Sequence, residues 1–229
     1  MRSGVLVLVL VVTGCTQDVV LPWQLDHDRI IAIRATPPGI ATGEVAEVDA
    51  LLGREGQPPI EVVPDTAAVI SPSSLEDVLV RQAGRWTVTA PGADRLAAAR
   101  TELGLAADEP VPLRLRVTFA EPALAGLKAV SLGVRAGNPA LDSIKIDGEE
   151  RALATQISVA AGVDVPLAVE LEDRQAVNWL TSCGTMHDFD LPGAYLRVEP
   201  VDPQSGMIGV VVRDELGGVA WRLWPITAQ

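Results

Sequence analysis

The sequence predicts an all-β protein made of two tandem β-sandwiches. Short segments alternate apolar and polar side chains, which is typical of strands with one buried face. The chain contains 17 Pro and 20 Gly, and many of them stand between those segments, where turns are expected. A layout of strand, turn, glycine and strand occurs twice. With 48% hydrophobic residues, the 229-residue chain has enough apolar side chains for a folded core.

The two copies of this layout lie at residues 29–52 and 143–171. In the first copy, Gly43 precedes the second strand-like segment, and in the second copy Gly162 takes the same place. The segment after Gly162 alternates apolar and other residues over positions 163–171. The repetition predicts two similar domains.

A pair of strands closes each predicted domain. Residues 113–119 alternate cleanly and precede a second strand at 126–134. In the other copy, residues 207–213 and 219–226 flank a turn at 214–218, where two glycines tolerate positive φ. The predicted boundary lies at residues 137–139. The expected domains are residues 29–137 and 138–229.

Two helices are expected as insertions in the first domain. Ser73 and Glu76 have the spacing of a capping box, which predicts a helix over residues 74–82. The segment 93–103 is rich in Ala and Leu and ends at Gly104, which predicts a second helix.

Short strands separated by Pro and Gly favour immunoglobulin-like sandwiches. Residues 139–229 resemble the PKD-type bacterial immunoglobulin-like domain, in which a strand with Trp precedes a V-x-V-x-D-x-x-G-G hairpin. The matching pieces are residues 177–180 and 210–218. The family's G-D-G loop is absent, and residues 182–185 stand in its place. The whole chain resembles bacterial lipoproteins that pair two such domains.

Residues 1–14 have the layout of a secretory signal peptide. Arg2 precedes an apolar run at 5–12 that is too short to span a bilayer, which needs about 20 apolar residues. The sequence VTGC at residues 12–15 resembles the lipobox of bacterial lipoproteins. This resemblance implies cleavage before Cys15 and diacylglycerol on its thiol. The alternative is an ordinary cleaved signal followed by a chance Cys.

The residue after a lipidated Cys influences sorting in Gram-negative lipoproteins. Asp at that place favours the inner membrane, whereas this chain has Thr16, so the resemblance implies an outer-membrane anchor facing the periplasm or the exterior. Residues 15–28 contain Pro22 and lack a clear period, which predicts a tether between lipid and fold.

The charge of the chain excludes one class of partner. Lys and Arg total 18 against 30 Asp and Glu, a net charge of -12, which opposes binding to nucleic acid. The expected partners are the membrane, through the lipid on Cys15, and a protein or glycan. No cofactor is predicted.

No catalytic signature is present, since G-x-S-x-G, H-E-x-x-H, Walker A and G-x-G-x-x-G are all missing. The two His are His27, in the predicted tether, and His187, which has Ser182, Cys183 and Thr185 nearby in sequence. Proximity along the chain does not make a triad, because the nucleophile must meet an oriented base in space. The candidate metal ligands are Cys183, His187, Asp188 and Asp190. The simpler interpretation is a loop with turn-capping Asp side chains, so no metal site is predicted.

Cys183 is the only thiol left if Cys15 carries lipid, so it is either buried or free to pair with another chain, and its apolar neighbours favour burial. Trp86, Trp179 and Trp221 fall in alternating patterns and are expected in the core. Trp224 has the opposite parity to Trp221, so one of the two should face outward from its own sandwich. An outward-facing Trp is a candidate contact for a sugar or a protein, but covering by the neighbouring domain is the favoured alternative.

These features predict a lipid-anchored binding or scaffolding module of the cell envelope without catalytic activity. The alternatives are a structural subunit of an envelope assembly and, with least support, a hydrolase.

Overall fold

The computed structural model describes residues 21–152 and 155–229, and it shows an all-β chain folded into two sandwiches. The predicted signal peptide and Cys15 lie outside the described residues. Within the described ranges, no helix has the length and apolar character needed to cross a bilayer.

The first sandwich contains nine strands in two sheets. One sheet has the order β1-β3-β7-β6, with β4 also paired to β3, and the other has the order β2-β9-β8-β5. Strand β2 runs parallel to β9, and the remaining pairs are antiparallel. The strands are β1 (Arg29–Thr36), β2 (Gly39–Ile40), β3 (Val45–Arg54), β4 (Gln57–Val62), β5 (Thr66–Ser71), β6 (Leu79–Gln82), β7 (Arg85–Thr89), β8 (Val111–Phe119) and β9 (Leu124–Leu132).

The second sandwich also contains nine strands, in sheets of order β11-β10-β13-β16-β15 and β12-β18-β17-β14. Strand β12 runs parallel to β18, as β2 runs parallel to β9. The strands are β10 (Ile144–Ile146), β11 (Glu149–Glu150), β12 (Ile157–Val159), β13 (Asp164–Val169), β14 (Gln175–Thr181), β15 (Thr185–His187), β16 (Gly193–Arg197), β17 (Ser205–Asp214) and β18 (Val219–Ala228).

The two sandwiches share one strand order. Strands β10, β13, β16 and β15 follow the order of β1, β3, β7 and β6, and β18, β17 and β14 follow that of β9, β8 and β5. In immunoglobulin letters these sheets are A-B-E-D and G-F-C, which is the arrangement of that fold class. The predicted class of two immunoglobulin-like sandwiches is therefore confirmed. The repeated sequence layout corresponds to β1 with β3 and to β10 with β13.

Alternation along single strands follows the predicted pattern. In β8, Leu113, Leu115 and Val117 are buried, while Arg114 and Arg116 are exposed. The burial of alternate side chains on facing sheets gives each sandwich its own apolar core.

One of the two predicted helices is confirmed. Helix α1 (Ala93–Leu103) ends at Gly104, whose φ of 68° is left-handed and whose N–H donates to the Thr101 carbonyl at 3.3 Å. The expected helix over 74–82 is wrong: residues 73–78 form a 3-10 helix, and the chain then continues as β6.

A contact from α1 explains the failure of the predicted capping box. The Glu102 carboxylate accepts hydrogen bonds from the Ser73 N–H at 2.7 Å and the Ser73 hydroxyl at 3.0 Å. Ser73 is thereby held by a residue of another element rather than by Glu76, and the Glu102 carboxylate also accepts the Ser74 N–H at 3.2 Å, so it caps the start of the 3-10 helix. Leu79 and Val80 then pair with β7.

The N-terminal segment belongs to the fold. The tether prediction for residues 15–28 is wrong over 21–28, while 15–20 lie outside the described residues. Leu25 is fully buried, and its N–H donates to the Thr181 carbonyl at 2.9 Å. The Thr181 N–H in turn donates to the Trp23 carbonyl at 2.8 Å, so this segment lies alongside the end of β14.

Candidate functional site

The segment 183–190, which held the candidate nucleophile and metal ligands, forms strand β15 and the turns around it. Cys183 is 3% exposed and belongs to the second core, as its apolar neighbours predicted. The hydroxyl of Thr181 accepts the Cys183 N–H at 3.1 Å. Burial raises the pKa of the Cys183 thiol, which disfavours the thiolate needed of a nucleophile.

The other side chains of this segment lie in separate environments. The His187 ring stacks on Tyr195, with centroids 4.4 Å apart. Asp188 is exposed with a left-handed φ of 53°, and Phe189 packs against the second core. Across the described ranges, no three His, Cys, Asp or Glu side chains gather as metal ligands. The predicted loop is therefore a strand over residues 185–187 with turns on either side, and Asp188 and Asp190 are exposed to solvent.

His27, the other histidine, takes a local structural role. Its Nε2 lies 2.8 Å from Oε1 of Gln24, and that same oxygen accepts the Leu21 N–H at 2.9 Å. The pair stabilises the N-terminal segment.

A third apolar cluster lies between the two sandwiches. We call it the joint. It combines side chains of β1 and β3 with side chains of β14, β17 and β18, and it includes Leu25 of the N-terminal segment. The buried members are Leu25, Ile31, Ala32, Leu51, Leu180, Val211, Val219 and Trp221.

The joint requires a sheet with two buried faces. In β17, Ile208 and Val210 face the second core, whereas Val211 faces the joint. The same parity separates the two Trp of β18: Trp224 is fully buried in the second core, and Trp221 is 7% exposed in the joint. The predicted covering of one Trp by the neighbouring domain is confirmed.

The other two Trp with predicted core positions differ from each other. Trp179 is fully buried in the second core, as expected. Trp86 is only partly buried against the first core, and its indole N–H donates to the Pro64 carbonyl at 2.9 Å. Trp221, expected in the core of its own sandwich, belongs to the joint instead.

Polar contacts surround Trp221 on its first-domain side. Its indole N–H donates to Glu61 Oε1 at 2.8 Å. The guanidinium of Arg34 lies 3.8 Å from the ring centroid, and Arg34 also binds the Asp49 carboxylate through two hydrogen bonds of 3.0 and 2.6 Å. The ring is thus fixed by an N–H partner at its edge and a cation over its face.

Arg213 of β17 links the sandwiches through the backbone. Its guanidinium donates to the Ile31 carbonyl at 2.7 Å and to Asn178 Oδ1 at 2.8 Å. Asn138, in the predicted boundary, makes a second link: its side-chain amide donates to the Ala35 carbonyl at 3.0 Å, and its Oδ1 accepts the Val219 N–H at 2.9 Å. Asn138 of the predicted boundary therefore connects β1 of the first sandwich with β18 of the second.

The β17–β18 hairpin rests on β9 of the first sandwich. Lys128 is 6% exposed and its ammonium donates to the Gly217 carbonyl, while the Ser131 hydroxyl donates to the Leu216 carbonyl at 3.1 Å. The pKa of Lys128 is lowered to about 8, chiefly by burial and in part by Arg213, against the opposite effect of Asp214. A buried ammonium bonded to a hairpin carbonyl thus holds the second domain on the first.

Gly217 is required at the tip of this hairpin for two reasons. Its φ of 87° is left-handed, as the sequence predicted for the turn. A Cβ there would also lie 3.1 Å from the Ala129 carbonyl oxygen of the first sandwich.

No protein family and no curated protein matches this chain. Solved structures of tandem domains do match it. The titin domains Z1Z2 in complex with telethonin align with 88% of this chain and 98% of theirs, at 16% identity and a TM-score of 0.25. The N-terminal Ig1-2 module of the Drosophila receptor protein tyrosine phosphatase DLAR aligns with 88% of this chain and 98% of its own, at 12% identity and a TM-score of 0.30.

A third similar structure is a nucleoside hydrolase-related hypothetical protein from Saccharophagus degradans. It aligns with 41% of this chain at 15% identity and a TM-score of 0.33, and this chain spans 26% of its length. Likeness at these scores carries nothing about function. The immunoglobulin-like class rests on the strand order of the sheets.

Proposed function

We propose that this chain is a lipid-anchored binding or scaffolding module of the cell envelope that acts as one rigid body. The joint carries the claim that the two sandwiches act as one rigid module. Interfaces between domains that move freely are small and polar, whereas here Leu51, Val211 and Trp221 meet in a buried apolar cluster. Partly buried hydrogen bonds through Arg213 and Lys128 fix the relative orientation further.

The anchor is proposed on the lipobox-like sequence before Cys15, with Thr16 favouring the outer membrane. Leu25 supports a mechanical role for the anchor, because burial of this side chain fixes where the chain leaves the fold. A lipid on Cys15 would therefore hold a rigid module, and not a freely pivoting one, at the bilayer.

We propose that the protein is not catalytic because of the environments of the side chains in segment 183–190. Cys183 is buried with a raised thiol pKa, and His187 stacks on Tyr195. Neither has the environment of an activated nucleophile or of a base oriented by a third group.

Recognition of a protein or glycan is proposed for loops and for an exposed strand edge. Strand β5 pairs only with β8, and Thr66, Ala68 and Ile70 along it are exposed. A strand edge of this kind offers free backbone groups to a partner strand.

Replacement of the lipidated residue tests the anchor. Cys15→Ser should move the protein out of the membrane fraction and abolish labelling with radioactive palmitate, because two or three acyl chains are needed for firm anchoring. The control is Cys183→Ser, which leaves the lipobox intact and should keep the label. Equal labelling of the wild type and Cys15→Ser would contradict the anchor.

Mild cross-linking in cells followed by purification tests the role of the module. Partners that vary with growth conditions support recognition. One partner recovered at fixed stoichiometry under every condition would instead identify a structural subunit of an envelope assembly.

A further inference from the structure

An apolar surface lies where the described chain begins. Trp23 packs against Phe189, with ring centroids 5.7 Å apart, and Pro22 lines the same cavity as Phe189. Leu191, two residues further along, is 50% exposed and is followed by the exposed Pro192. We call this set the anchor-proximal face. Its members are Pro22, Trp23, Phe189, Leu191 and Pro192.

The loop that carries Leu191 is held in place by the second core. The Trp179 N–H donates to the Phe189 carbonyl at 2.7 Å, and its indole N–H donates to the Leu191 carbonyl at 3.2 Å. The Val169 N–H donates to the Pro192 carbonyl at 3.0 Å. Leu191 is thus presented to solvent by a fixed backbone.

The length of chain before Leu21 decides what can cover this face. Six Cα–Cα steps separate Cys15 from Leu21, so the two residues lie at most about 20 Å apart. A bilayer that holds acyl chains on Cys15 is therefore within reach of the anchor-proximal face. Exposed Leu and interfacial Trp are the side chains that partition into the boundary between headgroups and acyl chains.

We infer that the anchor-proximal face contacts the surface of the bilayer that carries the lipid on Cys15. The inference rests on the proposed lipid anchor and adds the orientation of the module. Asp188 and Asp190 are exposed beside Leu191, so the headgroups that fit are zwitterionic ones with an ammonium group, and anionic headgroups are repelled. The β16–β17 loop, with Val201 93% exposed, lies at the opposite end of β16 and faces away from the membrane.

Site-directed fluorescence on the lipidated full chain tests this orientation. Pro192→Cys and, as the control, Val201→Cys each receive an environment-sensitive label, and the buried Cys183 stays unlabelled. The proteins are reconstituted in phosphatidylethanolamine and phosphatidylcholine vesicles that contain a lipid with a nitroxide on its headgroup. We expect strong quenching and a blue shift at position 192 and neither at position 201.

Further variants and a flotation assay test the inferred orientation separately from the proposed lipid anchor. Leu191→Ser in the Pro192→Cys background should reduce the quenching while the protein still floats with the vesicles. Added phosphatidylglycerol should also reduce the quenching at position 192. Failure to float would refute the anchor itself. Flotation with equal quenching at positions 192 and 201 would overturn the inferred orientation, and stronger quenching with phosphatidylglycerol would overturn the inferred headgroup class.

Discussion

The two Trp of β18 should respond differently to removal of the first domain. Trp221 owes its burial to the joint, whereas Trp224 is buried in the second core, where its indole N–H also donates to the Ala152 carbonyl at 2.9 Å. Every buried member of the second core lies between residues 141 and 228, so a fragment of residues 139–229 should fold by itself. Substitutions can then be compared in the full chain and in this fragment.

The expected magnitudes follow from burial. Truncation of a buried Trp to Ala costs about 3 to 5 kcal/mol, so Trp221→Ala and Trp224→Ala should both lower the free energy of unfolding of the full chain by that amount. In the fragment, Trp221 has lost its cover, and Trp221→Ala should cost less than about 1 kcal/mol, as a surface substitution does. Trp224→Ala should keep its full effect there.

Urea denaturation followed by circular dichroism measures the four differences, since the fragment keeps its sheets. The fragment should also bind a hydrophobic dye, because Leu180, Val211 and Trp221 lose their cover. Equal costs of Trp221→Ala in the full chain and in the fragment would refute the assignment of this residue to the joint. A fragment that is disordered by circular dichroism would refute the independent second core.

Three further predictions concern titratable groups. The pKa of Lys128 is about 8 in the folded protein and 10.5 in the unfolded chain, so the unfolded chain binds more protons between these values and the free energy of unfolding should rise with pH. Urea titrations should show the wild type gaining about 3 kcal/mol relative to Lys128→Met between pH 7 and pH 10.5. Cys183 should react with iodoacetamide only at the rate of unfolding, and rapid reaction in the native state would contradict its burial. Hydrogen bonds from Ser74 and Ser73 lower the pKa of Glu102 to about 2, so its stabilisation should be lost as pH falls from about 4.5 to 2, and Glu102→Gln, but not Glu76→Gln, should flatten that part of the acid-unfolding curve.

Local patterns predicted the parts of the fold that depend on local chemistry. The alternation over residues 113–119 and the glycine after residue 103 both report the backbone around them, and both predictions are confirmed. The capping box at Ser73 failed because Glu102, distant in sequence, occupies the donors that the pattern assigned to Glu76. Spacing alone cannot register such a competitor.

The joint could be predicted from the sequence only in part. The uninterrupted apolar run in β17 and the opposed parity of Trp221 and Trp224 both indicate a sheet buried on two faces. They do not say which surface covers the second face. That cover comes from Leu51 and from Ile31, beside which the register of β1 with β3 shifts, and neither residue carries a pattern of its own. The same holds for Leu25, an isolated apolar residue in a segment without a period.

The shared face between the sandwiches has a consequence for how this architecture can be inherited. A sandwich that is polar on its outer surfaces can be copied into a new gene and remain soluble alone. The second sandwich here would arrive with Leu180, Val211 and Trp221 uncovered, and a sheet face of this kind invites aggregation. Duplication or recombination should therefore move the pair together, with residues 21–28 attached, and chimeras cut at residues 137–139 should express poorly unless the new neighbour supplies an apolar face of its own.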